Sequence, residues 1–435
     1  MKRRWTPILM RPPVLALLFP TFCWSLHSEV LDVGLRLELF VEPSLVEELR
    51  GEARLQLQRP IRREAVLVTD RPWEGNACFT FTIFQDGNRY RMYYRGWHFE
   101  TGKRLEFPRR QVTCYAESLD GIHWYRPQLG LVEFEGSKRN NILMDRLADG
   151  DIIRNFVPFK DPNPAASPDA RYKALSWSRL RGLYAWKSAD AIHWELMADR
   201  LVITQGYFDS QNLAFWDSFR NEYREYHRDF RPTAENQPRT KGIRDVMTGT
   251  SQDFLNWTDP VWLCYRGSAD VQLYTNQIIP YYRAPHILLG FPNRYIERGW
   301  SDSMRALPGF EHRRLRAGVS LRYGTALTEG LLMASRDRVR FHRWPEAFIR
   351  PGLRPVDNWT YGDNVQNWGL VETPATSGGL PTRSPCTPPR AIGEARVSTC
   401  GVSPFGSTVS WPFPRPCQAE RWSLAPFASR ETACC

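Results

Sequence analysis

A chain of 435 residues, 42% of them apolar, can bury one large core or two to three ordinary ones. With 29 Gly, 33 Pro and 17 Trp, the composition favours packed sheets over long helices. The net charge of +11 is spread: residues 1–28 carry +4, residues 382–435 carry +3, and the long middle carries the rest with no Lys/Arg block between aromatics. That distribution argues against nucleic-acid binding.

The chain starts with basic residues and an apolar run from Val14 to Trp24. This fits either a secretory signal cleaved after Ser25 or an unstructured extension over residues 1–28. The expected location is secreted or periplasmic with a real signal, and cytoplasmic otherwise. The run is too short for a membrane span, and no other segment approaches one. Residues 29–69 alternate enough for lead-in strands around a short helix at SLVEELRG.

A motif then recurs in weakening form: SLDGIHW (Ser118 to Trp124), SADAIHW (Ser188 to Trp194), SQDFLNW (Ser251 to Trp257) and SRDRVRF (Ser335 to Phe341). Each copy sits between two strand-like runs. Ser and Asp two residues apart can accept hydrogen bonds from the N–H groups of a tight turn, and the aromatic begins the next strand. Asp120 and His123 therefore belong to a scaffold hairpin. Upstream of each copy lie two further strands, as in CFTFTIFQDGNRYRMYYRG, where Asp86-Gly87-Asn88 marks the hairpin. QNWGLVET (Gln366 to Thr373) supplies a fifth inner strand. Strand–turn–strand followed by a Ser-x-Asp hairpin is one four-stranded blade, so the fold class is all-β, a five-bladed β-propeller over residues 70–376 with an incomplete fifth blade. Residues 377–435 turn rich in Pro, Ser, Arg and Cys without periodicity, and are expected to be a divergent, disordered tail.

Nine Cys are present, five of them in the last fifty residues; Cys78, Cys114 and Cys264 in the body form no CxxC pair. The eight His show no HxH or HExxH spacing, so neither metal nor other cofactor is predicted. His286 is expected to be buried and satisfied.

In its blade architecture and S-x-D-x-x-x-W turns the chain resembles the five-bladed glycoside hydrolases of families 32, 43 and 68 and, more distantly, family 130. The resemblance covers roughly Asp70 to Thr373. It implies an oligo- or polysaccharide substrate and a funnel lined by the starts of the inner strands. Glycosidic cleavage needs two carboxylates flanking the bond, often with a third that tunes the acid. By position the resemblance places a nucleophile or base at Glu74 in WEGN, an acid at Asp209 in FDSQN, and a tuning carboxylate at Asp151. Asp161 in KDPNP reads as a turn residue. Trp73, Asn76, Arg95, Gln211, Asn212, Asn276, Asp363 and Asn364 are the candidate sugar-binding side chains. The leading expectation is a glycoside hydrolase. The alternatives are a non-catalytic sugar-binding or interaction propeller, and a phosphorylase, which would need an Arg/His phosphate cluster in the funnel.

Overall fold

A computed structural model describes residues 32–373, except 99, 102–104, 180–181, 234–237, 267, 353–358, 360 and 363, together with 395–401 and 417–423. The apolar run at Val14–Trp24 lies outside the described residues. Two units are distinguished, Met1–Arg36 and the body Leu37–Cys435. In the first, the Gly34 N–H donates to the Asp32 carboxylate at 2.8 Å, an Asx-type turn.

Among the described residues of the body, the regular structure is mostly antiparallel sheet. After β1 (Ile61–Thr69), β2 (Phe79–Asp86) and β3 (Arg89–Gly96) form a hairpin around Gly87-Asn88, as the sequence predicts. β4 (Val112–Ser118) and β5 (Trp124–Tyr125) continue the meander. The second sheet is β6 (Arg154–Lys160), β7 (Tyr172–Ser178), β8 (Gly182–Ser188) and β9 (Glu195–Leu196). The third is β10 (Leu213–Asp217), β11 (Glu222–Arg231), β12 (Ile243–Ser251) and β13 (Val261–Trp262). The fourth is β14 (Ile278–Tyr281), β15 (Ala284–Gly290), β16 (Met333–Ser335) and β17 (Arg340–Arg343), with Cys264–Arg266 parallel to β17. β18 (Val365–Glu372) returns to lie parallel with β2, Trp368 opposite Thr82. Gly369 permits this approach: at φ 137° its Cα faces the Ile83 carbonyl so closely that a Cβ would stand 2.1 Å from that oxygen.

Two features differ from the sequence reading within the described residues, which include only 395–401 and 417–423 of the tail. The tail carries two strands, β19 (Ala395–Gly401) and β20 (Cys417–Ser423), which pair β18–β19–β20–β1. Backbone ladders need extended residues and a partner edge, not an apolar period, so composition hid them. The helix expected at SLVEELRG shrinks to a 3₁₀ turn, Pro43–Leu45, held by the Glu42 side chain on the Ser44 N–H; so short a segment cannot sustain helix nucleation alone. The helices form elsewhere, as α1 (Asp302–Arg305), α2 (Phe310–Val319) and α3 (Leu321–Thr325).

The four Ser-x-Asp turns share one geometry. Ser118, Ser188, Ser251 and Ser335 Oγ each accept from the N–H three residues on, all at 2.9 Å. The Asp then accepts two successive N–H groups, at 2.8 Å each from Ile122 and His123 in the first turn. The residue between is left-handed, φ 68–77°, and is Gly121, Ala191, Phe254 or Arg338. The last three of these seat on the sheet before them. Tyr93 Oη of the first sheet donates to the Ala191 carbonyl at 2.8 Å. The Phe159 ring of the second packs on Phe254, centroids 5.7 Å apart. Tyr226 Oη of the third donates to the Arg338 carbonyl at 2.9 Å, and Asp217 takes the Arg338 guanidinium in two bonds of 2.6 and 2.9 Å.

The starts of the first, third and fourth sheets and β18 meet along a buried glutamine chain. Gln211 Nε2 donates to the Phe81 carbonyl (3.1 Å) and Thr82 Oγ1 (2.9 Å). Gln277 Nε2 donates to Gln211 Oε1 and to the Gln366 carbonyl, both at 2.7 Å. Apolar cores fill the spaces between neighbouring sheets, as where Tyr93, Phe156, Trp186 and Trp194 interlock.

Candidate functional site: an arginine and aromatic mouth

At one end of the first strands the backbone repeatedly turns left-handed without glycine: Thr80, Asn155, Gln277 and Asn364 have φ of 46–56°. Such residues are strained, and strain of this kind concentrates where a structure holds side chains for a purpose. Asn155 shows what it holds. Its Oδ1 accepts from Arg95 Nη1 at 3.2 Å, and its Nδ2 donates to the Ser210 carbonyl at 2.6 Å. Ser210 Oγ in turn donates to the Tyr274 carbonyl at 3.1 Å.

Around this chain of bonds stand arginines stacked on aromatic rings. Arg95 lies 4.9 Å from the Trp97 ring centre, and Arg154 lies 5.7 Å from Trp97 and 5.1 Å from Trp177. Arg228 lies over Tyr207 (5.8 Å), Phe230 (5.7 Å) and Tyr274 (5.2 Å), and Arg244 over Phe230 and Tyr295, each at 5.1 Å. The α2–α3 insertion is tied to this wall through Tyr361: Arg316 Nη2 donates to the Tyr361 carbonyl at 3.3 Å, and Tyr361 Oη meets Tyr274 Oη at 2.5 Å. Burial pushes Arg95 down to about 10, the Asp209 charge opposing this and Arg154 adding to it. Arg154 is lowered by burial and then by Arg179, and Arg244 by burial and then by Arg228.

The predicted acids are divided between two places. Asp209 is at the mouth, its side chain 67% exposed and its Oδ2 3.6 Å from Arg228 Nη2. Asp151 borders it, bonded to Ser178 Oγ (2.7 Å) and the Ile152 N–H (2.8 Å) and acting electrostatically on Arg154, as Asp209 does. Glu74 is not brought to them. Its side chain is fully buried and accepts from Tyr94 Oη, Arg126 Nε (2.8 Å) and the Arg71 N–H (2.9 Å). Tyr94 and Arg95 are successive residues of β3 and point to opposite faces. Glu74, on Tyr94, and Asp209, near Arg95, thus lie on opposite sides of that strand. Burial raises the Glu74 pKa, against the pull of Arg126, Tyr94 and Arg71.

WEGN instead serves as a clasp. The Trp97 N–H donates to the Glu74 carbonyl (2.8 Å) and the Trp97 carbonyl accepts from Ala77 (2.9 Å). Gly75 must be glycine there, since a Cβ would stand 2.3 Å from the Trp97 oxygen. Trp73 and Asn76 share this clasp, Trp73 Nε1 donating to Asn141 at 2.7 Å and Asn76 being buried. Of the candidate sugar ligands, Arg95 is at the mouth. Gln211, Asn212 and Asn276 are buried and bonded to backbone carbonyls, Asn276 to that of Tyr226 at 3.2 Å. Asn364 holds Asn293 through its carbonyl at 2.8 Å, and Asp363 lies outside the described residues. Asp161 is buried against Lys173 and Tyr223. His286 is buried and paired with Glu38 at 3.1 Å.

Sequence reasoning missed Arg154, Arg228, Arg244, Trp97, Trp177, Tyr207 and Tyr274. A signal was present in NEYREYHRDF, where alternation sets Tyr226, Arg228 and Phe230 on one face of β11. A separate surface cavity of about 530 Å³ lies over the first Ser-x-Asp turn. Its charged residues are already paired, Arg89 with Glu117 (3.0 Å) and His123 with Asp120 (2.6 Å), which marks it as scaffold. Among the described residues no three His, Cys, Asp or Glu gather as a metal site, and no helix is long and apolar enough to cross a membrane.

The described residues thus form a nearly all-β molecule of mostly antiparallel sheets with a basic, aromatic mouth at one end of their first strands. No family model and no curated protein matches the sequence. Solved structures similar to it include an N-acetylgalactosamine deacetylase from F. plautii in complex with blood group B trisaccharide (11% identity, 84% of this chain and 94% of that one, TM-score 0.47). Another is described within the GH130 family of mannoside phosphorylases and glycoside hydrolases that target β-1,2 mannosidic linkages in Candida mannan (14%, 86% and 95%, TM-score 0.49). A third is a fructofuranosidase from Schwanniomyces occidentalis complexed with fructosylnystose (11%, 82% and 57%, TM-score 0.40).

Proposed function

We propose that this protein is a carbohydrate-active five-bladed propeller that cleaves glycosidic bonds at the arginine–aromatic mouth. The blades are the four meander sheets and the sheet begun by β18. The propeller reading is supported by the buried glutamine chain, in which the first, third and fourth sheets and β18 meet, and by the seating of the second, third and fourth Ser-x-Asp turns on the sheet before each.

The observation that carries the functional reading is the position of Asp209, an exposed carboxylate among stacked arginines and partly exposed rings. Aromatic faces hold the apolar faces of sugar rings, and a carboxyl at the mouth can give its proton to the leaving glycosidic oxygen. Asp151, across Arg154, is the second carboxylate of the pair that such chemistry uses. Glu74 takes a positioning role through the clasp on Trp97.

The test is a screen of aryl-glycosides and oligosaccharides with wild type, Asp209→Asn and Asp151→Asn. Loss of a general acid should lower kcat by about 10²-fold or more in Asp209→Asn. Unchanged turnover in both variants would remove the assignment, and saturable binding without turnover in the wild type would favour a non-catalytic sugar-binding protein. The arginines also favour a second reading, phosphorolysis, because a basic cluster is what a phosphate nucleophile needs. Turnover that depends on inorganic phosphate and releases a sugar 1-phosphate would select it.

A further inference from the structure

Among the described residues, the mouth brings four arginines against two carboxylates, and this bears on what the sugar carries; the inference rests on the mouth being the sugar site. Arg95, Arg154, Arg228 and Arg244 converge there, and the carboxylates acting on them are Asp209 and Asp151. Arg228 is the sharpest case. Its side chain is only 3% exposed, yet neither Nε nor Nη1 has a hydrogen-bond acceptor among the described residues. Its Nη2 faces Asp209 at 3.6 Å, too far for a hydrogen bond. Ring faces of Tyr207, Phe230 and Tyr274 also lie against it. Arg154 Nε likewise has no acceptor among the described residues. A buried guanidinium with unmet donors is destabilising, and arginines that repel one another deepen the cost. Burial and like charge acting on Arg154 and Arg244 point the same way.

We propose that Arg228 is the centre of an oxyanion subsite, and that the carboxylate it takes is borne by the substrate itself, an acidic sugar of the uronic acid class. A carboxylate supplies acceptors for Nε–H and Nη1–H, and charge-assisted bonds of this kind are the strong ones. Asp209, so close to Arg228, disfavours a second negative charge, so a monoanion fits better than a phosphate dianion. The rings of Trp97, Trp177 and Tyr207 are only partly buried, which leaves apolar surface beside the arginines for the body of the sugar.

The test is a binding titration of the full chain with trigalacturonate, the neutral galactotriose and inorganic phosphate, at low and moderate salt. The acidic trisaccharide should bind at least about tenfold tighter than either of the others, and the preference should shrink as salt rises. Arg228→Met should erase the preference for the acidic over the neutral trisaccharide, and hold or raise the thermal midpoint, because buried guanidinium donors without acceptors are gone. Arg154→Met should weaken the preference in the same direction. Asp209→Asn should tighten acidic-sugar binding while turnover falls, so a failure of the cleavage assignment does not disturb this readout. Equal affinity for acidic and neutral sugars would overturn the proposal. So would phosphate binding as tightly as the acidic sugar, or Arg228→Met and Arg154→Met both keeping the preference.

Discussion

At Glu74 a carboxylate is fully buried, bonded on three sides, and engaged by Arg126, whose own side chain is only 16% exposed. Replacing it with Gln keeps the shape and removes the charge, and Arg126 is left with Asp70 at 3.6 Å. Breaking a buried pair by neutralising one partner costs about 3 kcal/mol. Glu74→Gln should therefore lower the urea midpoint clearly, and an unchanged midpoint would show that the pair contributes nothing. The sequence marked Glu74 as an acid ahead of a strand, which was correct. It could not show which side of β3 the acid would reach, because that depends on Tyr94 and Arg126, residues 20 and 52 positions away. Asp209, by contrast, keeps its side chain 67% exposed, facing Arg228.

The Ser-x-Asp turns were legible because every bond in them spans two or three residues. Asp253 shows their electrostatics. Burial pushes its pKa up, but the N–H groups of Asn256 and Leu255, the Asn256 amide and Ser251 outweigh this and hold it down to about 2. Asp120, Asp190 and Asp337 are lowered for matching reasons. A carboxylate with a depressed folded pKa adds stability above its unfolded value, about 4, and loses it as the pH falls through the folded value. The thermal midpoint should thus decline as the pH falls from 4 toward 2, and Asp253→Asn should flatten that decline while lowering the midpoint at pH 7. An equally steep decline in the variant would mean that other carboxylates control acid unfolding. The α2–α3 insertion was illegible at this scale. Its buried Arg313 and Arg316 answer to carbonyls of Trp359 and Tyr361, far along the chain, and not to a helical apolar stripe. The arginine mouth was hidden in the same way, since its four arginines come from three separate sheets.

Across the whole molecule the sheets are joined by specific polar contacts as well as by apolar packing. Asp217 and Arg338, both side chains fully buried, join the third sheet to the turn of the fourth. Asp217→Asn leaves a buried guanidinium without its counter-charge, and a loss of about 3–5 kcal/mol is expected in equilibrium unfolding; a loss below about 1 kcal/mol would show that Arg338 finds compensation elsewhere. The parallel placement of β18 beside β2 has a consequence in time. Asn367 Oδ1 accepts from the Phe81 N–H, a bond between residues 286 positions apart. During synthesis the first sheet is thus made early but stays one neighbour short until the chain has grown past Glu372. A nascent or truncated chain presents β2 as a bare edge, ready to pair with the wrong partner. The last regular strand before the tail is therefore also the one that protects the first sheet to be made.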